Sequence, residues 1–168
     1  HKGYIGTILT NYLSKNLKDK INIFGIDPNL FSLNNYSKKN FRIKKNFIED
    51  CRNFKLKDIK FIPDVIIYLA AVSNDPMGRE FKNATKEINF LSCIKLAKEA
   101  KRLGVRKFIF ASSCSMYGNS GNSMRKENDK IAPLTDYARS KVNAEKKFKH
   151  TSSKNFKVIS LRFATAAG

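Results

Sequence analysis

Residues 64–71, Asp-Val-Ile-Ile-Tyr-Leu-Ala-Ala, constrain the fold of this chain more than any other stretch. The apolar run is unbroken. Such a run fits a strand covered on both faces, and strands of that kind belong to parallel sheets flanked by helices. It closes on two small residues, Ala70 and Ala71, which leave room at the strand's C-terminal edge. Ligands of open α/β sheets bind outside that edge.

The flanking pattern agrees. Residues 4–17 carry a helical period with Ile5, Ile8, Leu9, Tyr12 and Leu13 on one face. Residues 21–27 form a strand ending in Asp27, and the polar, basic stretch 29–46 reads as a loop. Residues 47–52 form a short strand ending around Asp50. Residues 58–61 are assigned to a helix that follows, and 73–78 form a loop by their chemistry. A long amphipathic helix spans 85–103, with Ile88, Leu91, Ile94, Leu96 and Ala97 inward, and Gly104 stops it. A strand over 107–112 delivers Ser113. A polar loop, a helix from 134 to about 150 and a strand over 156–162 complete the chain. The alternation predicts one α/β domain over 1–168, a Rossmann-type doubly wound parallel sheet. The glycine turn at the start lacks a strand to feed it, and the chain stops just after a strand. Truncation at both ends is therefore expected, with the first strand and a C-terminal substrate domain absent.

Two pieces of chemistry sit on this frame. Gly3 and Gly6 have the spacing of the last two glycines of a phosphate-binding turn: one lets backbone approach a pyrophosphate, the other lets the helix pack close to a strand. Asp27 follows Gly6 by ~20 residues, the place of a carboxylate that binds an adenosine ribose. An acid capping a turn at Asp27-Pro28 is the competing reading. No arginine follows Asp27 directly, which favours NAD over NADP. Asp50 fits either an adenine contact or a helix N-cap. The second piece is Ser113 with Tyr137 and Lys141. The phenol and the ammonium share one helix face. A neighbouring ammonium is expected to lower the phenol pKa, and the serine hydroxyl to align a substrate oxygen with it. This is a proton-transfer device that needs a hydride partner. Asn89, near the apolar face of its helix, is read more readily as a structural hydrogen-bonding group than as a direct participant.

The net charge of +19 admits nucleic-acid binding or steering of an anionic ligand. The lysines are spread along the chain, so compositional drift is the favoured reading and a nucleic-acid partner is disfavoured. Cys51, Cys93 and Cys114 lack metal-ligand spacing. They read as thiols of a reducing, cytoplasmic compartment, and no metal site is expected. No apolar run is long enough to span a membrane.

Taken together, Gly3-Tyr4-Ile5-Gly6, Asp27, Asp50, Leu69-Ala70-Ala71, Asn89, Ser112-Ser113 with Tyr117-Gly118, Tyr137 with Lys141, and Leu161-Arg162 resemble the extended short-chain dehydrogenase/reductase family, the NAD-dependent epimerase/dehydratase group acting on nucleotide sugars. The resemblance implies that Gly3, Tyr4, Ile5 and Gly6 line the pyrophosphate turn, Asp27 holds the ribose, and Asp50 with Cys51 the adenine. Leu69, Ala70 and Ala71 pass under the cofactor, and Asn89 belongs to the same cofactor side. Tyr137 is the base, Lys141 its pKa tuner and a nicotinamide-ribose ligand, and Ser113 positions substrate. Ser73, Asn74, Ser115 and Thr165 join Ser113 and Tyr137 as substrate contacts. An intact protein is expected to be a homodimer, and the 168 residues alone to bind NAD weakly.

Dehydratases of this family carry acids after the active-site hydroxyl residue, where this chain has Cys114 and Ser115. Thr165 and Ala167 depart from the family's usual residues. The expected activity is a nucleotide-sugar 4-epimerase, with a net reductase or dehydrogenase as the close alternative. A catalytically retired RNA- or protein-binding relative is the alternative of another class, and the intact Tyr-x-x-x-Lys argues against it.

Overall fold

The computed structural model describes residues 1–30, 42–119, 121 and 124–164. Two compact units are distinguished, His1–Phe54 and Lys55–Gly168.

In the first unit, helix α1 spans Tyr4–Leu17. Gly6 is its contact point. A Cβ there would stand 2.6 Å from His1 Cα and 2.7 Å from its carbonyl carbon, so only glycine lets the helix come this close. The buried side is Gly6, Thr7 and Thr10, with the Thr10 hydroxyl donating to the Gly6 carbonyl at 2.7 Å. This corrects the expected inward face. Ile8 and Tyr12 are 57% and 64% exposed, because close approach through small residues rotates the helix away from its larger apolar ones.

Strands β1 (Ile23–Ile26) and β2 (Ile43–Phe47) pair in parallel, with Ile26 opposite Phe47. The strand expected over 47–52 thus lies earlier, and part of the expected loop is strand. Asp50 explains the shift. Its carboxylate accepts from the Arg52 N–H at 2.8 Å, and its carbonyl from the Asn53 and Phe54 N–H groups at 3.0 Å each. This local turn competes with extended backbone and ends the strand.

In the second unit, residues 59–61 enter no helix. A 3₁₀ turn at Leu56–Asp58 is held instead by Glu99, whose carboxylate accepts the Leu56 and Lys57 N–H groups at 2.9 and 3.2 Å. Strands β3 (Val65–Tyr68), β4 (Lys107–Ser113) and β5 (Lys157–Phe163) form a parallel sheet in that order, with Tyr68 opposite Phe110 and Ser113 opposite Phe163. One face is dense. Phe108 and Phe110 are fully buried, and Phe110 meets Phe148 edge-on at 5.1 Å. On the other face Val65, Ile67, Ile159 and Leu161 are 38–41% exposed. The expectation of a strand covered on both faces is therefore met on one face only within this unit.

Between β3 and β4 the chain forms α2 (Asp75–Glu80), α3 (Lys82–Lys86), a π-helical turn (Glu87–Ser92) and α4 (Cys93–Leu103). The start of α2 overturns the loop expected at 73–78: Asn74 Oδ1 caps the Met77 N–H at 2.9 Å, and Pro76 fits the first turn. The π turn corrects the expected inward face, because its wider winding carries Leu91 out to 47% exposure. Leu96 and Ala97 are buried as expected, Ile88 and Ile94 are half-buried, and Thr85, Asn89, Ser92, Cys93 and Ala100 share the buried side. Gly104, at φ 90°, ends α4 in the left-handed conformation that glycine adopts without strain. Helix α5 spans Asp136–Thr151.

Candidate active site

Strand β4 carries Ser113 to the C-terminal edge of the sheet. Residues 69–71 leave β3 at the same edge, with Ala70 exposed and Leu69 and Ala71 half-buried. The chain then tightens into a 3₁₀ turn, Cys114–Tyr117, closed by Gly118 at φ 67°. No side chain fits at Gly118, where a Cβ would lie 2.2 Å from the Ala132 carbonyl oxygen. The turn holds Ser113 Oγ, which accepts the Ser115 N–H at 3.2 Å. Ser115 Oγ is buried without a hydrogen-bond partner among the described residues.

Helix α5 supplies the other two groups. Thr135 Oγ1 accepts the Ala138 N–H at 3.1 Å and fixes the helix start. Tyr137, one residue into the helix, stands where the Ser113 side chain favours its ionised form. Lys141 follows one turn on and is 2% exposed. Its Nζ donates to the Ala111 carbonyl at 2.8 Å and stands 4.8 Å from the Phe110 ring centre and 5.5 Å from that of Tyr137. Ser113, Tyr137 and Lys141 are thus brought together.

Their electrostatics differ from expectation in one respect. Burial pushes the Tyr137 phenol above its usual range; Ser113 opposes this, while Asp75 and Cys114 add to it. The expected net lowering is therefore absent from the protein alone. Burial likewise presses Lys141 down to about 8, with Cys93 opposing. Removing charge from water disfavours the charged form of each group.

A polar cluster links Ser112, Tyr117 and Arg162, residues that carried the resemblance, through Glu145, which sequence reasoning missed. Ser112, adjacent to Ser113, donates to Glu145 Oε1 at 2.5 Å. Glu145 is gripped by Arg162 through Nε at 3.2 Å and NH2 at 2.7 Å, and Arg162 NH1 reaches the Tyr117 hydroxyl at 2.7 Å and the Glu127 carbonyl at 2.8 Å. Glu145 first, then Tyr117, raises the Arg162 pKa further and keeps it charged. The available signal was Glu145 one turn beyond Lys141 on the same helix face.

Asn89 takes the structural role. It is fully buried, and its amide bonds both the N–H and C=O of Val72, at 2.8 and 3.0 Å. It acts on the loop after β3 through the Val72 backbone. Ser73 and Asn74 are exposed beside that loop, with Asn74 capping α2. Thr165 lies outside the described residues.

The first unit holds the remaining cofactor candidates. Asp27 Oδ2 accepts the Lys2 N–H at 3.0 Å, and Oδ1 the Asn29 N–H at 2.8 Å. Burial raises this carboxyl, the Lys2 and Asn29 N–H groups lower it, and its pKa lies below the usual value. Asp27 therefore stays ionised beside the glycine turn, and the space over Gly3 is open to 4 Å. An anionic acceptor next to a bare glycine backbone fits a dinucleotide. Asp50 is held ionised chiefly by Arg52, which chelates it through Nε and NH2, with Cys51 half-buried alongside. No grouping of His, Cys, Asp and Glu suited to a metal occurs among the described residues, and no helix there is long and apolar enough to cross a membrane.

Comparison with known proteins gives a consistent picture. An uncharacterized UDP-glucose epimerase, YtcB of Bacillus subtilis (strain 168), is 30% identical over a 177-residue alignment that covers 99% of this chain and 54% of that protein. A UDP-glucose 4-epimerase of Mycolicibacterium smegmatis is 29% identical over 151 residues, 85% of this chain and 46% of that protein. The structure of UDP-N-acetylglucosamine 4-epimerase from Methanobrevibacter ruminantium M1 superposes with a TM-score of 0.80 at 26% identity, covering 96% of this chain and 51% of that one. The chain spans about half the length of the relatives it matches. The family model for NAD dependent epimerases and dehydratases matches residues 1–168, and the chain belongs to that enzyme family.

Proposed function

We propose that the protein is a nucleotide-sugar epimerase that exchanges hydride at a sugar carbon with NAD. The carrying observation is the juxtaposition of Ser113 and Tyr137, the serine favouring the ionised phenol, with Lys141 buried one turn away and its Nζ 5.5 Å from the Tyr137 ring centre. NAD, when bound, accepts and returns the hydride. The chain manages the proton and the geometry. Ser113 Oγ holds the reacting sugar oxygen beside the phenol. Tyr137 Oη takes the hydroxyl proton as the carbon–oxygen bond becomes a carbonyl, and gives it back on reduction. Lys141 supplies the positive charge that favours phenolate. Ser115 Oγ, lacking a partner among the described residues, suits donation to a substrate acceptor, and Ser73 and Asn74 stand exposed for the sugar. Gly3, Tyr4, Ile5, Gly6, Asp27, Asp50 and Cys51 would hold the adenosine diphosphate half of NAD, and Leu69, Ala70 and Ala71 are further candidate cofactor contacts at the β3 edge. Cys114 is not an acid and Ser115 is not one, which favours epimerisation over dehydration. A homodimer is the expected assembly.

A second reading is favoured by one observation. Burial holds Tyr137 in its protonated form, ready to protonate the alkoxide formed when a ketone is reduced. That suits a reductase using added NADH or NADPH. The deciding experiment incubates a full-length protein carrying this chain with UDP- and GDP-sugars, with and without added NAD(P)H. Epimer formed without external cofactor supports the epimerase; strict dependence on NADPH overturns it. Tyr137→Phe should lower turnover by ~10²–10⁴-fold in either case.

A further inference from the structure

We infer that helix α2 is a positioning element for the Tyr137 phenol, acting through Asp75 and Gly78. The inference rests on the proton-transfer role proposed for Tyr137.

Thr135 Oγ1 has two duties. It accepts the Ala138 N–H and so caps α5, and it donates to Asp75 Oδ1 at 2.6 Å. Using both lone pair and proton fixes the hydroxyl's rotation and ties the start of α5 to the start of α2. Tyr137 stands two residues past that tie, so its place follows from it. The second contact is direct. Gly78 is buried against Tyr137, and a Cβ there would lie 3.2 Å from the Tyr137 Cβ and 3.4 Å from its N. Gly78 has no unusual φ. The reason for glycine is therefore the tyrosine, not the backbone of α2.

The same short helix begins at Asn74, whose side chain caps it, directly after Ser73. A sugar touching Ser73 or Asn74 therefore bears on a turn hydrogen-bonded to the helix that carries the phenol. The groups acting on the Tyr137 phenol are Asp75 from α2, Ser113 from β4 and Cys114 from the turn after it, with the Lys141 Nζ of α5 5.5 Å from its ring centre. Asp75 and Cys114 disfavour phenolate, and Ser113 favours it. Asp75 thus sets both where the phenol stands and how readily it ionises.

The test labels tyrosine at Cζ in the full-length protein and follows the Tyr137 resonance by NMR through the alkaline range, with Tyr137→Phe to assign it. Asp75→Asn keeps an oxygen acceptor for Thr135 but removes the charge, so the Tyr137 midpoint should move to lower pH. Gly78→Ala should displace the ring and lower kcat by about 10–100-fold, with KM changed less. Thr135→Ser should behave as wild type and Thr135→Val should lower kcat, reading the same contact from its other side. The inference is overturned if Tyr137 titrates at its wild-type pH in Asp75→Asn, or if Gly78→Ala turns over at the wild-type rate. If Tyr137→Phe retains full turnover, the hydride-transfer reading fails, while the titration shift still reports on Asp75.

Discussion

At the scale of single residues, Lys141 shows how activity and stability pull apart. A lysine with an ordinary pKa of 10.5 is held at about 8 by burial. Below about pH 8 the amine is charged in both folded and unfolded chains, and the folded state bears the whole burial penalty. As pH rises from about 8 to 10.5 the unfolded chain still binds the proton and the folded one does not, so relative stability rises across that window. The penalty below the window is ~3 kcal/mol. The bond to Ala111 returns about 1 kcal/mol. Lys141→Met should therefore abolish turnover and yet stabilise the fold at pH 7 by ~2 kcal/mol. Denaturant unfolding at pH 7 and pH 10 checks this: the advantage of the variant should shrink at the higher pH, and a constant gap would count against it. The triad of Ser113, Tyr137 and Lys141 was legible in the sequence because helix periodicity fixes the last two and a strand end fixes the first. Asp75 was not, since its partner Thr135 lies 60 residues away and no local pattern reports that.

At the scale of elements, legibility followed how local each cause is. Helices α1 and α5 and strand β4 end where period, cap and apolar run say they should. The helix over 85–103 was legible as a helix but not in its winding. The π turn at Glu87–Ser92 accompanies Asn89 reaching the Val72 backbone, a tertiary bond. The residues around Asn74 and Pro76 misled because the same types start both loops and helices. Asn89→Ala would orphan a buried N–H and C=O on Val72, at a cost of ~2–4 kcal/mol. Amide exchange at Val72 should accelerate alongside the loss measured in urea; unchanged exchange would count against the contact. The Glu145–Arg162 pair joins α5 to β5, and through Ser112 to β4. Side-chain exposures of 12% and 18% make it a largely buried pair. Glu145→Ala leaves Arg162 unpaired and should cost about 3 kcal/mol, whereas Glu145→Gln, able to keep the Ser112 bond, should cost less. Urea midpoints of the two variants test that ordering.

At the scale of the whole molecule the governing fact is charge: 33 lysines and arginines against 14 acids. Such an excess repels itself in the compact state. Exposed ion pairs offset it little. Arg106–Asp64 has side-chain exposures of 73% and 74%, and Arg42–Asp19 of 63% and 87%; pairs of this kind contribute at most ~1 kcal/mol each. Salt weakens attraction and repulsion alike, so the sign of its effect reports which is larger. With the excess this great, repulsion dominates. Raising ionic strength from ~0.01 M to ~0.1 M shortens the screening length from about 30 Å to about 10 Å, less than the distance across a domain. The melting midpoint should therefore rise with added sodium chloride, and equally with potassium chloride. A fall in the midpoint would mean that the exposed pairs matter more than their exposure allows. A rise seen with sulfate or phosphate but not with chloride would mean that bound anions, rather than screening, relieve the repulsion. RNA retained at ~0.2 M salt with NAD saturating would point to a partner for that charge, since contacts to phosphate alone weaken steeply by that concentration.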